Sequence, residues 1–424
     1  MFKRNVGGTM EEKLDYERVV IVGVQTNELD TNFRYSLEEL GQLTETAHGQ
    51  VVAELTQKRD RMDSKTYLGK GKIQELVHLV EETEADVVIF NHALTPSQTR
   101  NIQVEIDVKV IDRIQLILDI FAMRAQSKEG KLQVALAQLQ YLLPRLAGQG
   151  KNLSKLGGGI GTRGPGETKL ETDRRHIRSQ INDIKKTLKE TEAHRQRSRE
   201  KRNDGTTFQI GLIGYTNAGK STLLNRLTDA KTYEENQLFA TLDPLTRKMV
   251  LPSGMNVTLT DTVGFIQDLP TQLIDAFHST LEETRGVDLL LHVVDAAAEN
   301  VAGHEVTVIN LLKELNMDQI PIFTVYNKKD LLNGNFSPNL FPNSLISAKD
   351  PEDLLKLRNQ IMKQMKEVML PYEFEVAADE GNKLVQLKKE TLLESAEFQE
   401  ELNVYLVKGY AKKASKWTGG NEIQ

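Results

Sequence analysis

The stretch FQIGLIGYTNAGKSTLLNRLT, residues 208 to 228, constrains the fold more than any other part of the chain. Within it Gly214-Tyr-Thr-Asn-Ala-Gly219-Lys220-Ser221 has the spacing G-x-x-x-x-G-K-[ST], directly after an apolar strand and directly before a helix. A loop of this kind wraps a polyanion in backbone N–H groups at a helix N-terminus, so it requires a strand, a tight turn and a helix in that order. The expected architecture is α/β: a mostly parallel sheet with helices on both faces. Lys220 adds a point charge and Ser221 offers a hydroxyl to Mg²⁺. Gly214, Tyr215, Thr216, Asn217, Ala218, Gly219, Lys220, Ser221 and Thr222 are the residues expected around the phosphates.

A phosphate loop alone does not choose the base. Asn327-Lys328-Lys329-Asp330, immediately after the strand PIFTVYN, supplies the choice. Guanine presents N1–H and N2–H₂ on one edge, and one carboxylate accepts from both; adenine has no such pair and would leave the Asp330 lone pairs unmatched. Asn327, Lys328 and Asp330 are therefore expected at the base, together with Ser347, Ala348 and Lys349, whose backbone would receive the base carbonyl. Asp261-Thr-Val-Gly264 ends another strand and resembles the segment that holds Mg²⁺ through water and senses a γ-phosphate through the Gly264 N–H. Thr241, in FATLDPLTR, is the expected switch threonine. The metal set is then Ser221, Thr241 and Asp261, and the catalytic set Lys220, Thr241 and Gly264. Phe265 follows Gly264 where a glutamine would orient the attacking water, and a phenyl ring cannot do so. Slow intrinsic hydrolysis is expected. Asn217 suggests a further ligand, K⁺, near the developing charge.

Four regions emerge from the pattern of the remaining residues. Residues 1–17 are expected to be disordered. Residues 18–118 alternate apolar strands (ERVVIVGVQ, QVVAELTQK, ADVVIFNHA, VKVIDR) with amphipathic segments, which reads as an N-terminal α/β domain. In 119–205, Leu132, Leu136, Leu139, Leu143 and Leu146 form one apolar stripe and Leu170, Ile177, Ile181, Ile184 and Leu188 another. The two predict an antiparallel helical hairpin. Residues 206–365 are the nucleotide domain. Residues 366–424 read as a small C-terminal α/β domain with strands YEFEVAA and KLVQLKKET, then a helix, then the strand NVYLVKGY.

The hairpin tip, 148–166, holds eight glycines in nineteen residues with Lys151, Lys155 and Arg163 and no acid. Its Gly159-x-Gly161-x-x-Gly164 spacing lacks the βαβ context of a dinucleotide site. A plain linker and a surface for nucleic acid remain. Glycine allows close backbone approach and the cations neutralise phosphates. The helix from Thr168 to Asn203 carries twelve Lys/Arg against six Asp/Glu, and Arg174, Arg175 and Arg178 lie nearest the tip. Gly69-Lys70-Gly71-Lys72 opens a helix and could face an anion, RNA or solvent. His78 and His92 are expected to serve structure, and Lys408, Lys412, Lys413 and Lys416 form a basic tail.

Composition excludes several classes. There is no cysteine, hence no disulfide, thiolate metal site or cysteine nucleophile, and a reducing cytoplasm is the natural home. The opening MFKRNVGGTMEEKLDYE lacks an apolar signal segment, and no run approaches the ~18 residues of a membrane span. Net charge is −6, so any nucleic-acid surface must be local.

The nucleotide region looks like a translation-associated GTPase of the TRAFAC class. VIDRIQLILDIFAMRAQSKEGKLQVALAQLQYLLPRL (110 to 146), GGGIGTRGPGETKLETDRR (157 to 175), YLGKGK (67 to 72) and GYTNAGKSTLLNRLT (214 to 228) resemble the HflX family over nearly the whole chain. The resemblance implies GTP and GDP as ligands and binding to the large (50S) subunit. It also implies GTP-dependent splitting of 70S ribosomes under stress, with the glycine-rich tip on 23S rRNA near the peptidyl-transferase centre. It implies a hydrophobic residue, here Phe265, in place of the catalytic glutamine. Antibiotic protection is a possible variant of that role. Some members are credited with ATP use by the N-terminal domain, but no full phosphate loop exists here to predict it. Two alternatives stay open: a large-subunit assembly GTPase, and a non-enzymatic, GTP-gated anti-association RNA-binding protein. A monomer is the default state.

Overall fold

The computed structural model describes residues 16–146, 169–202, 207–228, 238–239, 243–266, 286–413 and 415–418. The expected disordered start, the glycine-rich tip with Lys151, Lys155 and Arg163, and Thr241 lie outside the described residues, apart from positions 16 and 17. The chain divides into two compact units, 1–119 and 120–424.

In the first unit β1 (Glu17–Gln25), β2 (Gly49–Lys58), β3 (Val87–Phe90) and β4 (Lys109–Asp112) form an all-parallel sheet in the order β2-β1-β3-β4. The crossovers are α1 (Asp30–Thr46), α2 (Lys70–Thr83) and α3 (Pro96–Glu105). Covered on both faces, VVIF of β3 is wholly buried, as parallel strands usually are. Arg113 and Glu39 form a buried ion pair, and the same guanidinium donates to Asn91 Oδ1 (3.0 Å) and to the Ser36 carbonyl (3.2 Å). Those extra acceptors offset the desolvation of the guanidinium. His92 serves structure as expected: its Nδ1 lies 2.6 Å from the hydroxyl of fully buried Tyr67. His78 does not; it is exposed on α2, 3.9 Å from Glu81. Gly69 is the N-cap of α2, with its own N–H given to Gln57 Oε1 and the Lys72 ammonium to Glu75.

The second unit begins within α4 (Arg113–Arg124) and continues into α5 (Lys128–Arg145), which packs along α6 (Lys169–Arg202). The expected hairpin pairing is present with a different seam on α5. The buried stripe is Gly130, Gln133, Val134, Ala137 and Tyr141, while the predicted leucines at 132, 136, 139 and 143 are only half-buried. The deepest face of α5 thus mixes small and large residues, Gly130 and Ala137 with Gln133, Val134 and Tyr141, and the leucines lie to its sides. On α6, among the residues whose burial is described, only Ile181 is fully buried, flanked by half-buried Ile177, Ile184 and Leu188.

Among its described residues the nucleotide domain holds six strands in the order β10-β9-β8-β5-β7-β6. They are β5 (Phe208–Gly214), β6 (Leu245–Val250), β7 (Asn256–Asp261), β8 (Leu289–Asp295), β9 (Ile322–Asn327) and β10 (Asn343–Leu345). All pair in parallel except β6, which runs antiparallel to β7 at the edge. Helices α7 (Lys220–Leu227), α8 (Val301–Glu314) and α9 (Pro351–Val368) belong to this domain. Strand order reverses beside β5, which leaves the crevice at its carboxyl end as the binding position of such sheets.

The C-terminal sheet corrects the sequence reading. After β11 (Leu370–Ala377), the segment expected as a strand is helix α10 (Gly381–Glu390), and the expected helix is strand β12 (Leu392–Gln399); β13 (Val404–Ala411) lies between β11 and β12. Leu384 and Leu387, three apart, turn to the small core with Tyr372, Val376 and Val407, whereas Val385 is exposed. A helical period thus prevails over apparent alternation. Leu392 joins the nucleotide-domain core, and Lys412 pairs with Asp288 at 3.0 Å. No helix among the described residues is long and apolar enough to cross a membrane.

Candidate functional site

β5 delivers the loop 214–221 to the carboxyl edge of the sheet, and α7 leaves it with Gly219 as N-cap. Gly219 has φ +94°, and a Cβ there would run into Asn327 Nδ2. Only glycine fits at this position. Asn327 is 3% exposed and works as a brace: its Nδ2 donates to the Ala218 carbonyl (3.0 Å), and its Oδ1 accepts from Ala348 N–H (2.9 Å). The phosphate loop and the 347–349 loop are thereby held together.

Lys220 is buried, with Nζ donating to the carbonyls of Gly214 (3.0 Å) and Tyr215 (2.8 Å). Burial pulls its pKa down to about 8, against the opposing pull of the Asp261 carboxylate. Phosphate oxygens would supply the counter-charge that this ammonium needs. Ser221 Oγ donates to Asp261 Oδ2 at 2.7 Å, so a hydroxyl and a fully buried carboxylate stand side by side at the loop. That all-oxygen donor pair suits a hard divalent cation such as Mg²⁺. Gly264 lies against the loop as well; a Cβ there would come 2.8 Å from Thr216 Cγ2 and 3.1 Å from Lys220 Nζ. Asn217, with φ +58°, is exposed at the crown of the loop, and Thr222 is half-buried in the first turn of α7.

Phe265 is 2% exposed, and its backbone pairs with the loop: Thr216 N–H donates to its carbonyl (2.7 Å) and its N–H donates to Gly214 O (3.1 Å). The ring is packed away rather than presented to a reacting water.

At the base end Asp330 is exposed, accepting from Ser347 Oγ (2.7 Å) and Lys349 Nζ (3.1 Å). The Ser347 bond, with help from Lys349, keeps its carboxyl below the usual range and so ionised. Lys328, at φ +63°, reaches Asp295 at 2.7 Å. The structure brings together all the described P-loop and base-end residues. Arg174, Arg175 and Arg178 stand apart on α6, with Arg175 and Arg178 exposed and Arg174 half-buried.

Three features escaped sequence reasoning. Asp353 on α9, 3% exposed, accepts from Ser347 N–H (3.0 Å) and Lys329 Nζ (3.2 Å), fixing the loop that fixes Asp330. Its only local signal was a position six residues beyond Ser347. Tyr215 of the loop stacks on His304 of α8, with centroids 3.8 Å apart and planes 10° from parallel. His292 of β8 is fully buried and neither ring nitrogen has a hydrogen-bond partner among the described residues.

Burial, reinforced by the Lys220 charge, lowers the His292 pKa to about 3; burial also takes His304 to about 4, opposed by Asp295. A histidine whose folded pKa is depressed stabilises the fold fully above its unfolded pKa of about 6.5, and that stability is lost as pH falls toward the folded value. The urea midpoint should therefore drop between pH 6.5 and pH 4, each buried histidine contributing a slope of about 1.4 kcal/mol per pH unit. His292→Leu should flatten that dependence; curves parallel to wild type would contradict it.

The chain matches three family models: "GTP-binding GTPase N-terminal" over residues 34–122, "GTP-binding GTPase Middle Region" over 124–202 and "50S ribosome-binding GTPase" over 209–328. It is 56% identical to GTPase HflX of Alkalihalophilus pseudofirmus over 398 residues, covering 94% of each chain. The chain belongs to the HflX GTPase family. The HflX protein of Escherichia coli is 45% identical over 304 residues, spanning 72% of this chain and 71% of that one. Among solved structures, the SsGBP–GDP complex shares 28% identity with a TM-score of 0.48, covering 82% of this chain and 98% of that one. As an HflX GTPase the chain binds guanine nucleotides and hydrolyses GTP, which removes the non-enzymatic alternative.

Proposed function

We propose that this HflX protein is a GTP-gated cytoplasmic factor that binds the large (50S) ribosomal subunit and splits 70S ribosomes. On this reading the glycine-rich basic tip is placed on 23S rRNA near the peptidyl-transferase centre. The supporting observation is Asp330, held ionised by Ser347 and Lys349 at the base end of a phosphate loop, in the same unit as a basic helical hairpin. The matched "50S ribosome-binding GTPase" description points the same way. Asp330 would accept from guanine N1–H and N2–H₂, with the backbone of Ser347, Ala348 and Lys349 receiving the base carbonyl.

Backbone N–H groups of residues 214–221, together with Lys220, would hold the phosphates, and the Gly264 N–H would meet the γ-phosphate. Ser221, Asp261 and Thr241 would hold Mg²⁺, which supplies charge neutralisation on the phosphate chain when bound. Asn217, exposed at the loop crown, would serve K⁺. Because Phe265 is packed into the protein, water must be oriented by another group, and turnover without a ribosome is slow. Arg174, Arg175 and Arg178, with Lys151, Lys155 and Arg163, would neutralise rRNA phosphates. In this scheme GTP times release rather than powering splitting.

The test is sedimentation of 70S ribosomes with the full chain and GTP, GDP or a non-hydrolysable analogue, with phosphate release measured in parallel in K⁺ and Na⁺. Free subunits should appear with GTP and with the analogue, and the analogue should trap the factor on the large subunit. Intact 70S particles under every nucleotide would refute splitting; binding confined to immature large subunits would favour assembly instead. Equal turnover in K⁺ and Na⁺ would remove the cation role, and unchanged subunit affinity after alanines at Lys155, Arg163 and Arg174 would remove the tip assignment.

A further inference from the structure

Asp243 sits two residues beyond Thr241 in the sequence, yet its carboxylate is committed to the root of the helical hairpin. Oδ2 accepts from the backbone N–H groups of Gln126 (3.0 Å) and Ser127 (2.8 Å), and Oδ1 accepts from Ser127 Oγ. Ser127 is the N-cap of α5, and its Oγ in turn accepts from Gly130 N–H at 2.8 Å. The carboxylate therefore lies over the positive end of α5, where unsatisfied N–H groups and the helix dipole favour an anion. Space there is tight: a Cβ on Gly130 would come 2.5 Å from Asp243 Oδ1. Four residues earlier, Phe239 makes a second anchor. Its ring meets Phe121 of α4 edge to face, with centroids 4.6 Å apart, and both rings are fully buried.

Phe239 and Asp243 thus grip the beginning of the hairpin from either side of Thr241. We propose that Asp243 is a positioning residue: by capping α5 it ties the segment carrying Thr241 to the hairpin, so that sensing of the γ-phosphate and engagement of the hairpin bias one another. The proposal rests on the reading of Thr241 as the switch threonine and of the hairpin as the ribosome-facing element. A free-energy coupling of this kind is reciprocal: if γ-phosphate favours one placement of the hairpin root, a partner that holds that placement favours γ-phosphate by the same factor. Asp243 touches no nucleotide on this account and acts only through its neighbour.

The experiment compares wild type with Asp243→Ala and, approaching from the other side of the contact, Ser127→Ala and Gly130→Ala. Without ribosomes, affinities for GDP and for a non-hydrolysable GTP analogue are measured with Mg²⁺. GDP affinity should stay within about twofold in all variants, which also reports an intact nucleotide domain. The analogue-to-GDP affinity ratio should fall about tenfold, within the range of ordinary allosteric couplings. An unchanged ratio in Asp243→Ala overturns the proposal. Asp243→Ala and Ser127→Ala should also be non-additive in the double variant, since each removes the same contact; simple additivity of their effects overturns it as well.

A second arm measures binding to purified large subunits with GDP and with the analogue. Wild type should bind tighter with the analogue, and Asp243→Ala should lose most of that difference. If wild type shows no such difference while the ribosome-free ratio still depends on Asp243, the anchor stands and the ribosomal reading fails. If wild type shows it and Asp243→Ala retains it, the reading stands and the anchor is refuted.

Discussion

Asp330→Asn is expected to weaken GTP binding by roughly a hundredfold or more, with little loss of stability. Guanine offers two donors to this position, and an asparagine can accept from one while its own NH₂ group faces the other. Each unmatched polar group in such a contact costs about 1–3 kcal/mol, and sites built to pair with substrate donors discriminate by larger factors still. The same substitution should improve relative binding of xanthosine triphosphate, whose base carries a carbonyl where guanine has N2–H₂. Ser347 Oγ would still have an acceptor at 330, so the loop itself should persist. Asp330 is exposed, which is why its removal should not unfold the domain. Calorimetric titration with both triphosphates checks this; GTP affinity within about threefold of wild type would show that another group reads the base.

Lys220→Met should separate binding from stability in the opposite sense to most core substitutions. Lys220 is 6% exposed, and the burial that lowers its pKa to about 8 marks an ammonium kept at a cost in the folded chain. Removing that charge relieves the cost, and the methionine stem fills the space of the methylenes. The melting temperature of the nucleotide-free protein should hold steady or rise. GTP turnover, by contrast, should fall by about 10²–10³, the usual penalty for losing one preorganised donor at a developing charge. A variant that hydrolyses GTP within about tenfold of wild type would mean that the backbone N–H groups suffice. A variant that melts well below wild type would mean that the bonds to the Gly214 and Tyr215 carbonyls matter more to the fold than the burial cost.

What the sequence determined by itself is whatever chemistry is contiguous. The loop from Gly214 to Ser221 needs a strand before it and a helix after it, and both are written into its immediate neighbours. The Asn327–Asp330 and Ser347–Lys349 segments likewise carry their own geometry in a few residues, as does the alternation of strands and helices in the first unit. Short amphipathic pieces were less legible. In 383–391 an apparent alternation concealed a helix, and in 392–399 residues of high helix propensity formed a strand, because pairing with β13 outweighs a local preference worth only tenths of a kcal/mol per residue.

Only the tertiary structure decided the rest. Asp353 beneath the base loop, His292 beside the buried lysine, and the buried face of α5 from Gly130 to Tyr141 owe their roles to burial against distant elements. Asp243 and Ser127 lie 116 residues apart and meet only when the nucleotide domain folds against the hairpin root. A contact across that separation leaves no period or spacing in the chain, since neither residue's neighbours specify which carboxylate will arrive at the open end of a helix.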